Sequence, residues 1–412
     1  MIRKNLLQLL FSGAYLWRWN DKLRPTELSE IEKQAHKMLV ACALWNEASA
    51  EMTPFQRTDL GIKIIEGGLF DYFYRLIITD IKPPVFYKIK ENRAHYEQLT
   101  RYVLSRLEPM LSPLGDFWER MRGWHLREGA ERDLDRRILT AAHLFASRWE
   151  FQLIRPHNFF DDEMDFIHNS FERELEAFAD LPGMSALMDK NEALGRFANL
   201  CGQLRFQIRW TQAPRIPATS VLGHMFIVAS CAFFYTREIT DSKTRILNNF
   251  FSGLFHDFPE LLTRDIISPV KQSISGLAGI IKKYEDDELN RRVLGPLKRA
   301  GFASLSDRIA YYLGLKLGSE FQACYIKDGE IVAVDDRADC SILDKYGSPE
   351  CEPKDGFLLK ICDWLAAFLE AHNSIRNGVS SSHLQEARSR LKGQLEGAPE
   401  IFKMEGLLAD FE

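Results

Sequence analysis

Four landmarks occur twice along this 412-residue chain, in the same order. An Arg-Trp pair comes first, at Arg18-Trp19 and again at Arg209-Trp210. An apolar run holding a histidine follows, QAHKMLVACALW around His36 and LGHMFIVASCAFF around His224. Next, GLFDYFYRLIITDIKPPV from Gly68 matches GLFHDFPELLTRDIISPVK from Gly253, so that Asp80 meets Asp265 and Pro84-Val85 meets Pro269-Val270. Last, ILTAAHLFASRWE from Ile138 matches LLKICDWLAAFLE from Leu358, which sets His143 against Asp363. Chance supplies one such match readily but not four in order. The pattern implies a tandem duplication, with copies at 1–190 and 195–412 and Asp180–Arg196 as the joint.

The period of the apolar residues fixes the class of fold. They recur at three- and four-residue steps through Leu28–Glu51, Tyr96–Leu111, Asp133–Ile154, Phe159–Phe178, Ile246–Leu262 and Phe357–His372. The run from Val221 to Tyr235 is too short for a membrane span and carries His224, so it reads as a buried helix. Strand alternation is clear only in FQACYIKDGEIVAVDD, Phe321 to Asp336, on either side of Asp328-Gly329, a favoured hairpin turn. The acidic stretch from there to Asp355 reads as a loop. The expectation is an all-α protein with one small β-hairpin in its second half.

Composition narrows the partners. A net charge of −5 gives no basic excess for a nucleic-acid polymer. The seven cysteines are odd in number and form no CxxC pair, which points to a reducing, cytoplasmic setting. The N-terminal MIRKNLLQLLFSGAYLW starts basic and apolar, but Gln8 and Ser12 interrupt it and no small-residue cleavage motif follows. It reads as part of the folded chain, and no membrane association is expected.

The second copy carries the chemistry. A hydrolytic metal site needs neutral imidazoles, carboxylates and an open coordination position. His224, His256, Asp257 and Asp363 offer these groups. His256 and Asp257 are adjacent and point about 100° apart on a regular helix, so they share an ion most easily at a helix end. Pro259 lacks the N–H that would continue the helix and predicts a kink or restart there. Glu260, three residues after Asp257, suits proton transfer. Arg209 can grip phosphoryl oxygens with two parallel N–H groups, and Trp210 beside it offers a flat wall for a sugar or base. Lys271 is a further candidate phosphate contact.

The order H…HDxxE…D, centred on HDFPELLTRDIISPVK, resembles the HD-domain metal-dependent phosphohydrolases. The pattern HDxPExxxxDxxxPVK, with an Arg-Trp pair fifteen residues before the first His, is similar to their bacterial 5′-deoxynucleotidase branch. The resemblance covers about residues 205–395. It implies two tandem HD-like helical bundles. It further implies one divalent metal, cobalt, manganese or similar, held by His224, His256, Asp257 and Asp363. Glu260 would transfer a proton, Asp265 contact the sugar, Arg209 bind the phosphate, and Trp210 exclude ribose. No His lies between Asp265 and Asp363, where two-metal relatives draw extra ligands, so a single metal is expected. The implied activity is phosphate release from a deoxynucleoside 5′-monophosphate. A nucleotide sensor, or hydrolysis of a triphosphate or cyclic nucleotide, would use the same residues.

The first copy departs at the matching positions, which the alignment gives as His36, Asp71, Tyr72 and His143, with Arg75 in place of Glu260. It reads as catalytically silent. Its role would be a regulatory pocket or a packing partner that gives a monomer pseudo-dimeric halves; a homodimer is the other assembly.

Overall fold

The computed structural model describes residues 2–127, 129–264, 274, 276–335 and 341–412. The architecture is all-α with a single two-stranded sheet among the described residues. The expected helices form at Glu30–Ala48, Arg93–Leu111, Leu134–Ile154, Met164–Glu176, Val221–Ile239 and Gly356–Arg376. Their starts follow local capping chemistry. Ser29 and Glu32 form a capping box on the Glu30–Ala48 helix, and the Ser220 hydroxyl accepts the Gly223 N–H at the start of the Val221–Ile239 helix. No helix among the described residues is long and apolar enough to cross a membrane.

The hairpin forms as the alternation predicts, with Cys324–Lys327 antiparallel to Glu330–Ala333. Its turn places both Asp328 (φ 52°) and Gly329 (φ 82°) in the left-handed region, which a two-residue hairpin turn requires. The stretch beyond it is more ordered than a loop. Ser341–Lys345 is a short helix, and Lys354 and Asp355 are fully buried. Asp355 caps the Gly356–Arg376 helix through the Leu358 N–H and takes Arg245 Nη2 at 2.6 Å. These contacts tie the hairpin segment to the helix that precedes the His-Asp doublet.

That helix is shorter than its apolar period. It spans Lys243–Phe255 and stops at His256, and a new short helix spans Glu260–Thr263. Pro259 has no N–H to give Phe255, so the chain tightens instead. Phe258 N–H bonds to Phe255 O at 2.8 Å and Glu260 N–H to Asp257 O at 3.0 Å. Gly253 lets this helix lie directly on the Val221–Ile239 helix, since a Cβ there would meet the Ala229 backbone at 3.0 Å.

The two halves share one continuous hydrophobic core. Rings from the first half pack on rings from the second: Trp45 stacks on Phe251 at 5.5 Å, and Tyr72 meets Phe226 edge-on at 5.0 Å. Leu6, Leu7, Leu10 and Phe11 of the first helix are buried in this core.

The halves also repeat one local geometry. Arg18 N–H bonds to Leu28 O and Arg209 N–H to Thr219 O. Trp17 bridges Ser29 as Ile208 bridges Ser220. Trp19 and Trp210 both hold a positive φ, at 57° and 61°. Gly68 packs on Met38 where Gly253 packs on Ala229.

Candidate metal centre

Two helices and one turn build the site. His224 projects from the first turn of the Val221–Ile239 helix, His256 and Asp257 from the turn ahead of Pro259, and Asp363 from the second turn of the Gly356–Arg376 helix. Ligand atoms of His224, His256 and Asp257 all lie within 4.8 Å of one another. Asp257 Oδ2 is 3.2 Å from His256 Nε2 and 3.8 Å from His224 Nε2. Asp363 Oδ1 is 3.1 Å from His224 Nε2, while its Oδ2 is taken by Lys360 Nζ at 2.9 Å. Of the four groups that the sequence singles out, the fold clusters His224, His256 and Asp257, and Asp363 adjoins them through His224.

The protonation pattern suits a metal. His256 Nδ1 bonds to Gly253 O at 2.8 Å, so Nδ1 carries the hydrogen and the lone pair stays on Nε2. That Nε2 is buried and has no hydrogen-bond partner among the described residues. His224 differs: its Nε2 donates to Asp363 Oδ1 at 3.1 Å, and its Nδ1 faces Glu370 Oε1 at 3.4 Å without a hydrogen bond among the described residues.

Charge accumulates at this point. Burial alone would raise the Asp257 carboxyl, but His256, Arg209 and His224 hold it well below the usual carboxylate range. Burial and Arg209 act to lower His224; Glu370 and Asp363 prevail and raise it. The cluster thus favours positive charge between its imidazoles and carboxylates. Two imidazoles and two carboxylates are donor types that suit one divalent cation.

Arg209 and Trp210 flank the cluster. Arg209 Nη1 lies 3.0 Å from Asp257 Oδ2, and its Nε lies 3.4 Å from Glu370 Oε2. Trp210 Nε1 donates to the same Glu370 oxygen at 2.7 Å. Glu260 opens the short helix just beyond Asp257. Asp265 and Lys271 lie outside the described residues.

Sequence reasoning passes over Glu370 and Lys360. The signal for Glu370 is present, since both copies of the last landmark end in glutamate, at Glu150 and Glu370. Lys360 has no counterpart in the first half, where Thr140 stands at the matching place.

The first half requires one correction. His36 does not occupy the position of His224. Its Nε2 donates to Ala198 O at 2.9 Å and its ring packs edge-on against Trp149 and Phe145, away from the Arg18 cluster. Fifteen residues after Arg18, as His224 follows Arg209, stands Lys33. The two apolar strings resemble each other one helical turn away from the register given by the Arg-Trp spacing and by the matching contacts Gly68–Met38 and Gly253–Ala229.

No curated protein and no solved structure matches the chain. A family model described as an HD domain does match residues 201–392, the part of the chain that carries the cluster just described.

Proposed function

We propose that the second half is a single-metal phosphohydrolase that releases phosphate from a nucleotide, and that a deoxynucleoside 5′-monophosphate is its substrate. One observation carries this reading: Arg209 places a guanidinium 3.0 Å from Asp257, against the prospective metal ligands, while Glu370 fixes the Trp210 ring beside it. A guanidinium and an indole beside the candidate metal groups support this reading.

His224, His256, Asp257 and Asp363 would hold one divalent ion. When bound, such an ion supplies Lewis acidity toward water and a phosphoryl oxygen. The chain's own groups divide the remaining work. Arg209 turns from Asp257 to the phosphoryl oxygens and steadies their developing charge. Trp210 bounds the sugar edge, and its fixed position supports discrimination against a 2′-hydroxyl. The Glu260 carboxylate, next to the doublet, moves the proton between water and leaving group. In the first half the paired landmarks and repeated Arg-Trp geometry support a duplicated copy that has lost the ligand set.

The test is phosphate release from deoxy- and ribonucleoside mono-, di- and triphosphates with cobalt, manganese or magnesium, beside Asp257→Ala. Metal-dependent release from deoxymonophosphates, lost in Asp257→Ala, is the expected result. Turnover in the variant at the wild-type rate would remove the assignment.

A further inference from the structure

The first half rebuilds the corresponding centre from cations. Lys33 takes the helix position of His224, and its Nζ lies 3.3 Å from Glu30 Oε1. Arg18 is committed to two glutamates, Glu30 at 2.7 Å and Glu150 at 2.8 Å. Lys37, one turn beyond Lys33 on the same face, holds Asp71 at 2.7 Å. Arg75 reaches the Glu30 carboxylate at 3.5 Å from a third helix. His143 stands where Asp363 stands in the second half, and Lys33, Lys37 and Arg18 all act on it.

This set cannot hold a divalent metal. An ammonium replaces the imidazole lone pair, and a second ammonium and two guanidiniums lie around it. It is also poorly neutralised within. Glu30 is divided among Arg18, Lys33 and Arg75, and Glu150 between Arg18 and Arg205; with Asp71 on Lys37 and Asp80 3.3 Å from Arg75, four carboxylates face five cations. Lys33 and Lys37 are nearly fully buried, with side chains 5% and 1% exposed. Burial lowers Lys33 to about 8, an effect that Glu30 opposes and that Arg18 and Lys37 reinforce. The cluster is nevertheless reachable, since Arg75 and Asp71 at its edge are 22% and 38% exposed.

We propose that the first half holds a metal-independent binding site for a small phosphate ester, with Lys33, Lys37 and Arg75 receiving the phosphoryl oxygens and His143 lining the site. A phosphate dianion supplies the negative charge that the shared glutamates leave short. This reading is independent of turnover in the second half.

The test uses the full chain carrying Arg209→Ala, with metal removed by a chelator so that the second site is disabled. Isothermal titration with inorganic phosphate and with a deoxynucleoside 5′-monophosphate reads binding directly. One equivalent per chain is expected, weakened at least tenfold by Lys33→Met and also by Arg75→Ala. Equal affinity for the two probes would assign the site to the phosphoryl group alone; tighter binding of the nucleotide would assign it to the ester. Circular dichroism checks folding, and Arg75→Ala decides the question if Lys33→Met does not fold. Absence of binding at millimolar probe, or binding unchanged in the folded variants, would show that the cluster is neutralised by its own carboxylates and would overturn the proposal.

Discussion

Glu370 holds His224 from behind. Its Oε1 is 3.4 Å from His224 Nδ1 and accepts the Thr219 hydroxyl at 2.8 Å, and its Oε2 accepts Trp210 Nε1 at 2.7 Å. Both side chains are fully buried. One carboxylate thus anchors Trp210 and backs His224, a candidate metal ligand, and it lies 3.4 Å from Arg209. Outer carboxylates of this kind set the tautomer and aim of ligating histidines.

Glu370→Gln keeps the volume and removes the charge. Metal affinity is expected to fall by about 10- to 100-fold, the usual cost of losing such a partner. Titration of the metal-free protein with manganese or cobalt measures it, with circular dichroism as the check on folding. Affinity equal to wild type would mean that Glu370 serves packing alone.

Gly253 is the point of closest approach between the two helices that carry His224 and lead to His256. A Cβ there meets Ala229 Cα at 3.0 Å and Ala229 N at 3.1 Å, both backbone atoms that cannot step aside. Gly253→Ala is therefore expected to cost about 1–3 kcal/mol, as overpacking of a close contact does. It should also weaken metal binding, because the Gly253 carbonyl anchors His256 Nδ1. Urea denaturation and metal titration read the two effects separately. Gly68, by contrast, faces the Met38 sulfur, a flexible neighbour, and Gly68→Ala should cost less.

His36 gives the fold a defined acid sensitivity. Burial, followed by the charge of Arg205, lowers its pKa from 6.5 to about 3. Its Nδ1 is buried with no partner to receive a second proton's hydrogen. A group with a depressed folded pKa binds protons more readily when unfolded. Its contribution is thus complete above pH 6.5 and is lost as pH falls toward 3. The loss from this one group approaches about 1.4 kcal/mol per pH unit inside that window. His36→Gln preserves a donor toward Ala198 O and should flatten the slope. Stability curves in urea at several pH values between 7 and 4 compare the two proteins, and identical slopes would refute the assignment.

The fold class was legible because helical period survives in the apolar positions, and the hairpin because Asp328-Gly329 is a turn with few alternatives. The candidate metal groups are legible for a different reason. His256-Asp257 ahead of Pro259 is a local signal, and the proline predicts the helix break that sets both side chains close to His224. Glu370 was hidden because an acid late in an apolar helix shows its partner only once Trp210 and His224 fold onto it. Lys33 was hidden by a stronger but misleading likeness around His36. Periodic apolar strings match each other at any shift of a helical turn, whereas a fixed distance from a turn with positive φ, as at Trp19 and Trp210, does not slide.

The pair Arg205–Glu150 joins the halves in the buried interior. Arg205 Nη1 meets Glu150 Oε1 at 2.8 Å, with the two side chains 1% and 0% exposed, and Glu150 in turn holds Arg18 and Trp19 of the first half. Arg205 also lies over the Trp149 ring at 4.8 Å. Removing one partner of a buried ion pair costs about 3–5 kcal/mol, because the other charge stays behind. Arg205→Met should therefore destabilise the chain by that order. Since the halves share one apolar core, the loss should be felt in both together. Hydrogen exchange of the Glu30–Ala48 and Val221–Ile239 helices across a urea series provides one probe in each half. Coincident midpoints, both shifted down in Arg205→Met, are expected. Two separate transitions, with only the second half responding, would mean that the halves fold as independent units and that the buried pair does not couple them.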